Sequence, residues 1–199
     1  MSFAVNKILD LSAAFGLYDW WARRNLGQVH DRLTELADLR GRAEILDVGC
    51  GTGMLSSRLA ETAGGLVVRG VDISSRMIQA ARKRARTRHL RAEYQVGTAA
   101  KLPYPNEQFD LVLSCLLFHL LERPEQERAL QEILRVLKPG SRYVCAEFDR
   151  YPVRFLRRKL SEYPRNLVGT TGFRIQAQFA GPFLTRYRPV VYRVLMKPE

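Results

Sequence analysis

The chain is organised around one short stretch, Ile45-Leu46-Asp47-Val48-Gly49-Cys50-Gly51-Thr52-Gly53. Its apolar side chains, at Ile45, Leu46 and Val48, predict a buried strand. The three glycines that follow predict a tight turn at which the backbone passes close to another group. Residues 54–60 then show the pattern of a helix. Strand, glycine turn and helix together are typical of a βα unit that holds a nucleotide at the carboxyl end of its strand.

The spacing of the glycines indicates which nucleotide is bound. A dinucleotide fingerprint reads G-x-G-x-x-G and places a pyrophosphate on helix N–H groups, whereas the order here is D-x-G-x-G-x-G. A carboxylate at Asp47 would repel a pyrophosphate and attract an ammonium group. S-adenosylmethionine carries an ammonium and a sulfonium group and no phosphate. In these residues the chain resembles the class I S-adenosylmethionine-dependent methyltransferases.

A second acidic residue ends the second predicted strand. Residues 66–71 form an apolar run, and Asp72 follows it about 20 residues after the glycines. A carboxylate at this position is placed to accept both ribose hydroxyls of a nucleoside. Asp72 could instead cap the next helix, although Ser74 or Ser75 can fill that role. The run Asp72-Ile73-Ser74 also resembles the family's second motif, in which the apolar residue packs on adenine.

Three later segments resemble the same family. Residues 97–105 read G-T-A-A-K-L-P-Y-P and resemble G-D-A-x-x-L-P-F-P, whose acid usually holds the adenine amino group. This chain has Thr98 there, a departure that leaves a weaker contact or one from the backbone of Ala99. Residues 109–112 read F-D-L-V, close to the F-D-x-V pattern. Residues 132–140 resemble the E-I-x-R-V-L-K-P-G signature of the group that includes ubiquinone and menaquinone C-methyltransferases.

The alternation of predicted strands and helices requires right-handed crossovers and a mainly parallel sheet. The resemblance implies more: an α/β, Rossmann-like, doubly wound fold with a mainly parallel seven-stranded sheet and an antiparallel last strand. We predict a single methyltransferase domain over 1–199, with an N-terminal helical cap at 1–40, a cofactor-binding core at 44–148, and a C-terminal helix and hairpin at 149–199. The predicted helices include 3–26, 30–39, 76–88, 125–137 and 153–163, and the later strands are 94–96, 109–114, 143–148, 172–179 and 187–196.

The resemblance also implies the residues of the site. Tyr18-Asp19 and the following tryptophans resemble a Y-D-x-W pattern that closes over the cofactor, and residues 114–119 are expected to form the floor between cofactor and substrate. His119 is the candidate general base, needed only where the acceptor carries a proton at its nucleophile; its alternative is a packing or hydrogen-bonding role. His30 and His89 fall outside the predicted site. Cofactor contacts are expected from Tyr18, Asp47, Gly49, Cys50, Gly51, Gly53, Asp72, Ile73, Met77, Thr98, Ala99 and Ser114.

Composition describes an ordinary globular protein with an unusual charge. The net charge is +12 and 46% of the residues are apolar. No uncharged run approaches the length of a membrane-spanning helix, and residues 11–18 lack the cleavage pattern of a secretory signal. Three dispersed cysteines fit a reduced, cytoplasmic chain better than a disulfide or zinc framework, so no metal is expected. The charge is either a solvated surface or an attraction to anionic lipid, nucleic acid or an acidic substrate.

The aromatic N-terminal segment predicts a hydrophobic small-molecule or lipid-like acceptor with a carbon, oxygen or nitrogen nucleophile. Together with the basic helix predicted at 153–163, it fits peripheral binding at an anionic membrane surface, here the inner face of the membrane; the alternative buries the aromatic residues inside the domain. A nucleic-acid methyltransferase is a second interpretation that the charge favours, although the fourth-strand exit lacks an N-P-P-Y type sequence. A non-catalytic cofactor-binding or interaction protein with the same fold is the third.

Overall fold

The computed structural model describes residues 17–39, 44–62, 67–148, 171–181 and 190–199. Their elements, in chain order, are α1 (Leu17–Ala37), β1 (Glu44–Val48), α2 (Met54–Thr62), β2 (Val67–Asp72), α3 (Ser75–Thr87), β3 (Ala92–Val96), β4 (Phe109–Cys115), a short 3-10 helix (Phe118–Leu120), α4 (Arg123–Val136), β5 (Leu137–Phe148), β6 (Arg174–Gly181) and β7 (Val190–Met196).

The seven strands form one sheet in the order β3-β2-β1-β4-β5-β7-β6. Strands β1 to β5 are parallel to one another, and β7 is antiparallel to both of its neighbours, β5 and β6. The prediction of a mainly parallel seven-stranded sheet with an antiparallel last strand is therefore confirmed. The strand order reverses between β1 and β4, which is where an open α/β sheet forms a crevice at the carboxyl ends of its strands.

Strand β1 lies at the centre because its side chains are apolar on both faces. Ile45 packs in a core with residues of α1 and α2, including Leu33 and Leu59. Leu46, which points the opposite way, packs in a second core with residues of α4, including Ile133. Successive residues of β1 therefore pack against helices on opposite faces of the sheet, and the sheet is buried between these two helical layers.

Several element boundaries differ from the sequence predictions. The helices predicted at 3–26 and 30–39 are, from residue 17 onward, one helix that runs through Gly27 to Ala37. Strand β5 begins at Leu137 rather than at 143, because the backbone becomes extended directly after α4 and Leu137 pairs with Phe109. The predicted hairpin strands do pair, as β6 and β7. The helix predicted at 153–163 lies outside the described residues.

Replacing Gly27 or Gly70 by alanine should change the free energy of unfolding in opposite directions. An added Cβ at Gly27 in α1 would meet nothing within 4 Å, so Gly27→Ala should stabilise the protein by about 0.5–1 kcal/mol through helix propensity. An added Cβ at Gly70 in β2 would lie 2.5 Å from Cδ1 of Tyr94. Gly70→Ala should therefore destabilise by roughly 1–3 kcal/mol through overpacking. Urea unfolding of both variants measures the difference, and shifts of the same sign would contradict the packing of α1 or β2.

Candidate functional site

A mostly apolar cavity of about 570 Å³ opens at the carboxyl ends of the central strands. Its walls come from the glycine turn after β1, the end of β2, the loop after β3, the segment after β4 and the first turn of α1. The structure brings together at this cavity most of the residues that the sequence predicts for the site: Tyr18, Gly49, Gly51, Asp72, Ile73, Met77, Thr98, Ala99 and His119.

The glycine turn presents backbone to the cavity because its conformation excludes side chains. Gly49 and Gly51 have φ values of +73° and +53°, in the left-handed region that favours glycine. A Cβ at Gly49 would lie 2.8 Å from Cδ1 of Leu117, and one at Gly51 would lie 3.5 Å from the Tyr18 hydroxyl. The turn therefore leaves space on the cavity wall that any larger residue would fill.

Asp72 joins the turn to the start of α3. Its Oδ2 accepts a hydrogen bond from Gly51 N at 2.9 Å, and its Oδ1 accepts one from Ser74 N at 2.9 Å. The N-cap of α3 is Ser74, whose hydroxyl accepts from Met77 N at 3.1 Å. Asp72 is thus not the helix cap, and its carboxylate lies on the cavity wall with a fixed orientation.

Asp47 lies one layer behind the turn. It is 1% exposed, and its Oδ2 accepts a hydrogen bond from the Ser56 hydroxyl at 2.5 Å. Burial raises the pKa of this carboxyl to about 7, the Asp72 charge also raises it, and the bond from Ser56 opposes the shift. Asp47 borders a second cavity of about 20 Å³ that shares Tyr18 and Gly49 with the large one, enough for about one water molecule.

His30, which the sequence placed outside the site, does not line the large cavity but borders this small one. It is buried in α1, and burial followed by the nearby charges of Arg58 and Arg84 lowers its pKa to about 4. The imidazole is therefore neutral at physiological pH. The sequence carried no signal for this placement, because the position of α1 against the sheet depends on long-range packing.

Besides Asp47, three more predicted contacts do not line the large cavity. Cys50 is buried against Ile78 and Ala81 and borders only the small cavity. Gly53 packs close to the Tyr94 hydroxyl at the start of α2. The hydroxyl of Ser114 lies 2.7 Å from that of Tyr143 in the core, whereas the next residue, Cys115, lines the cavity. Burial raises the pKa of the Cys115 thiol well above its usual value, so it stays protonated.

A polar network fixes the first turn of α1 over the glycine turn. Asp19 accepts a hydrogen bond from the Thr52 hydroxyl and forms an ion pair with Arg84. Arg84 also donates from Nε to the carbonyl of Thr52 at 3.0 Å. The network places the half-buried Tyr18 at the cavity, where desolvation raises the phenol pKa above its usual value and keeps it protonated. Trp20 and Trp21 follow at the cavity mouth, 65% and 37% exposed.

The E-I-x-R part of α4 holds the loop after β3. Glu132 accepts a hydrogen bond from Leu102 N at 2.7 Å, and Arg135 donates to the carbonyls of Leu102 and Tyr104. The two side chains also pair with each other, and the bond from Arg135 lowers the pKa of Glu132. This pair fixes the loop that carries Thr98 to the cavity.

The floor of the cavity rests on Glu147, a residue that the sequence predictions missed. Glu147 is 1% exposed, and its Oε1 accepts hydrogen bonds from Leu117 N at 2.8 Å and Phe118 N at 2.9 Å. Its Oε2 lies 3.5 Å from Nδ1 of His119, whose ring meets that of Phe148 edge to face. The available signal was a single acid inside the apolar run of residues 144–148.

Comparisons with known proteins agree with this geometry. A family model described as a methyltransferase domain matches residues 45–140. A demethylmenaquinone methyltransferase of Lactiplantibacillus plantarum is 35% identical over 147 residues, 72% of this chain and 56% of that protein. A 27-O-demethylrifamycin SV methyltransferase of Amycolatopsis mediterranei is 33% identical over 124 residues, 61% of this chain and 44% of that protein.

A solved structure shares the fold over nearly the whole chain. It is a chain of the complex between the Haloferax volcanii Trm112 methyltransferase activator and a methyltransferase, with a TM-score of 0.81 at 21% identity over 96% of this chain and 98% of that one. The present chain spans about half the length of the two curated relatives. Residues 45–140 therefore belong to the methyltransferase domains of the class I S-adenosylmethionine-dependent type.

Proposed function

We propose that the protein transfers the methyl group of S-adenosylmethionine to a hydrophobic small-molecule or lipid-like acceptor. The observation that carries the proposal is a single cavity with two chemically different sides. One side offers the glycine turn and Asp72, and the other offers Leu116, Leu120 and Phe148. A polar nucleoside and an apolar acceptor therefore fit side by side.

The residues present fit the cofactor. Asp72 is placed for the ribose hydroxyls, and Ile73 and Met77 offer apolar contact beside it for the adenine. Thr98 and Ala99, fixed by the loop that α4 holds, face the same side. We assign Asp47 to the ammonium group, directly or through one water in the small cavity. Gly53, Cys50 and Ser114 would act through packing of the turn and floor rather than by contact.

When bound, S-adenosylmethionine supplies a methyl group activated by its sulfonium. The chain's own task is to align the acceptor's nucleophile with that methyl group and to exclude water, and such alignment can contribute about 7–11 kcal/mol to a barrier. Residues 115–117 form the floor between the two sides of the cavity. The protonated Cys115 is not a nucleophile there.

The chemical class of the acceptor is inferred from the cavity walls that are not assigned to the cofactor. In the part of the chain that the structure describes, no lysine or arginine lines the cavity, whereas phosphate contacts of nucleic-acid enzymes need such side chains. Relatives named for demethylmenaquinone and demethylrifamycin support an apolar acceptor. We further infer that residues 1–199 act as one domain, with an N-terminal cap at 1–40, a cofactor-binding core at 44–148 and a C-terminal segment at 149–199.

Mass spectrometry tests the proposal with the purified protein, S-adenosylmethionine and a panel of reduced naphthoquinones, free hydroxylated aromatics and RNA. We expect S-adenosylhomocysteine release and a gain of one methyl mass on an apolar member of the panel. Binding of S-adenosylmethionine without release for any acceptor would favour the non-catalytic alternative. Tight binding of a nicotinamide dinucleotide by calorimetry would contradict the cofactor.

Asp72 and Thr98 should differ in their effect on cofactor binding. Asp72→Ala should weaken binding of S-adenosylhomocysteine by roughly 2–4 kcal/mol, because it removes two charge-assisted hydrogen bonds to ribose. Thr98→Ala should cost at most about 1 kcal/mol for a neutral side-chain bond. Calorimetry measures both, with thermal melts as the control because Asp72 also binds Gly51 N. Equal losses would contradict the assignment of Asp72 to the ribose.

Asp47 predicts a pH dependence of cofactor binding. Its pKa of about 7 lies above the ordinary value, so the protonated form dominates at lower pH and cannot attract an ammonium group. Affinity for S-adenosylhomocysteine should therefore rise as the pH increases through 7, by up to about tenfold per pH unit below it. Asp47→Asn should bind weakly and lose this slope. Calorimetry at several pH values around 7 measures the affinity of both proteins. A wild-type affinity that does not change with pH would show that the ammonium group does not bind at Asp47.

We also propose that the enzyme acts in the cytoplasm and visits the inner face of an anionic membrane to collect its acceptor. Trp20 and Trp21 lie exposed at the cavity mouth beside Arg23 and Arg24, the combination of aromatic insertion and basic attraction that peripheral binding uses. None of the helices in the described ranges is long and apolar enough to cross a membrane.

Flotation with anionic and zwitterionic liposomes tests membrane binding. The wild-type protein should float with anionic vesicles at low salt and be released at high salt, because each basic residue near the surface contributes about 1 kcal/mol that salt screens. Trp20→Ser should reduce flotation. Ile175→Ser, which changes an exposed apolar residue of β6, is the matched control and should not. Failure of the wild type to float would exclude the membrane visit and leave methyl transfer untouched.

A further inference from the structure

Glu147 is a carboxylate in an apolar, buried environment. It is buried at the end of β5, between the apolar Ala146 and Phe148, where an ion is costly unless donors surround it. Two backbone N–H groups, of Leu117 and Phe118, satisfy one oxygen. The other oxygen faces Nδ1 of His119 at 3.5 Å. The first oxygen explains the shape of the cavity floor, and the second is directed at the one histidine that lines the large cavity.

We propose that Glu147 is a positioning residue that holds His119 as a general base, and that the acceptor therefore carries a proton at its nucleophilic atom, as a hydroxyl group or an acidic carbon does. This inference rests on the proposed methyl transfer. It restricts the acceptor to molecules with a proton on the nucleophilic atom, because a nucleophile without such a proton would need neither His119 nor Glu147.

The geometry selects one tautomer of the imidazole. A carboxylate accepts hydrogen bonds and cannot donate them when ionised, so a ring nitrogen that faces it must carry the proton. Nδ1 faces Glu147, which leaves Nε2 without a proton and able to accept one. Distances of this kind are often long before substrate binds and shorten in the reactive complex. The edge-to-face contact with Phe148 fixes the ring plane from the other side.

The proton balance follows from this arrangement. The carbon–sulfur bond to the methyl group breaks, its electron pair stays on sulfur, and a bond forms between the methyl carbon and the acceptor's nucleophile. The nucleophile's proton passes to Nε2 of His119. The resulting imidazolium lies beside the Glu147 carboxylate, which stabilises the new charge, and the proton then leaves to water. The products are S-adenosylhomocysteine, the methylated acceptor and one proton.

Nuclear magnetic resonance tests the positioning role without any acceptor. Protein labelled with ¹⁵N-histidine, bound to S-adenosylhomocysteine, has only three histidines to assign, and His119→Gln identifies one of them. We expect the wild type at mildly alkaline pH to carry its proton on Nδ1 of His119. In Glu147→Gln the amide group can still accept from the two backbone N–H groups while its NH₂ donates to Nδ1, so the proton should move to Nε2.

Kinetics with 1,4-dihydroxynaphthalene as the probe acceptor test the base. Glu147→Gln should lower kcat by on the order of 10²-fold or more, the usual contribution of a general base, and leave the KM for S-adenosylmethionine nearly unchanged. Glu127→Gln, an exposed change on α4, is the charge-matched control and should keep wild-type values. Thermal melts measure whether both variants fold. If Glu147→Gln does not fold, the tautomer of His119 in the wild-type protein still tests the positioning role.

The outcomes separate this inference from the proposed function. A wild-type His119 with its proton on Nε2 would overturn the positioning role, whatever the activity. The expected tautomer combined with equal turnover of the wild type and Glu147→Gln would overturn the base and leave methyl transfer standing. No turnover by either protein would contradict the proposed function and with it the base, while the tautomer would still decide how Glu147 acts on the ring.

Discussion

Three carboxylates at the carboxyl ends of parallel strands organise the site, and two of them, Asp47 and Glu147, are buried. Backbone N–H groups lose their sheet partners where a strand ends, and a buried donor without an acceptor is costly. Asp72, at the end of β2, accepts from Gly51 N and Ser74 N, and Glu147, near the end of β5, accepts from Leu117 N and Phe118 N. Asp47, near the end of β1, accepts from the Ser56 hydroxyl. The same bonds that satisfy these turns hold Asp72 on the cavity wall and hold Asp47 and Glu147 behind it.

Several arginines have a structural role that the net charge of +12 conceals. Arg82 donates twice to the carbonyl of Tyr94, Arg135 holds the loop after β3, and Arg142 donates to the carbonyl of Ala37. Arg84 joins α3 to both Asp19 and Thr52. A planar guanidinium with five donors suits carbonyls at a sheet edge, a helix end or a loop, where no neighbouring strand supplies a donor. Part of the basic composition therefore stabilises connections around the site, and only the remainder is available to attract an anionic partner.

The sequence predicted the parts of the site that local spacing determines. The glycine turn, Asp72 and the mainly parallel sheet with its antiparallel last strand follow from a short contiguous pattern and from the family resemblance that it carries. Ser114 shows the limit of this reasoning, because one step along a strand changes the face: its hydroxyl meets Tyr143 while Cys115 lines the cavity. Contacts between α1 and the core were not predictable, since Asp19 meets Arg84 across 65 residues of sequence and no periodicity records such a pairing.

Charge explains why the two sides of the cavity differ. The cofactor arrives as a cation, and the acidic side chains of Asp72 on the cavity wall and Asp47 behind the glycine turn favour it over the phosphates that a dinucleotide would bring. Methyl transfer to a neutral, proton-bearing acceptor moves one positive charge from the cofactor side toward the acceptor side. In an apolar cavity of low dielectric an uncompensated charge there would be costly. In the proposed transfer Glu147 supplies the compensating negative charge on that side, and it does so from a position fixed by its hydrogen bonds from Leu117 N and Phe118 N.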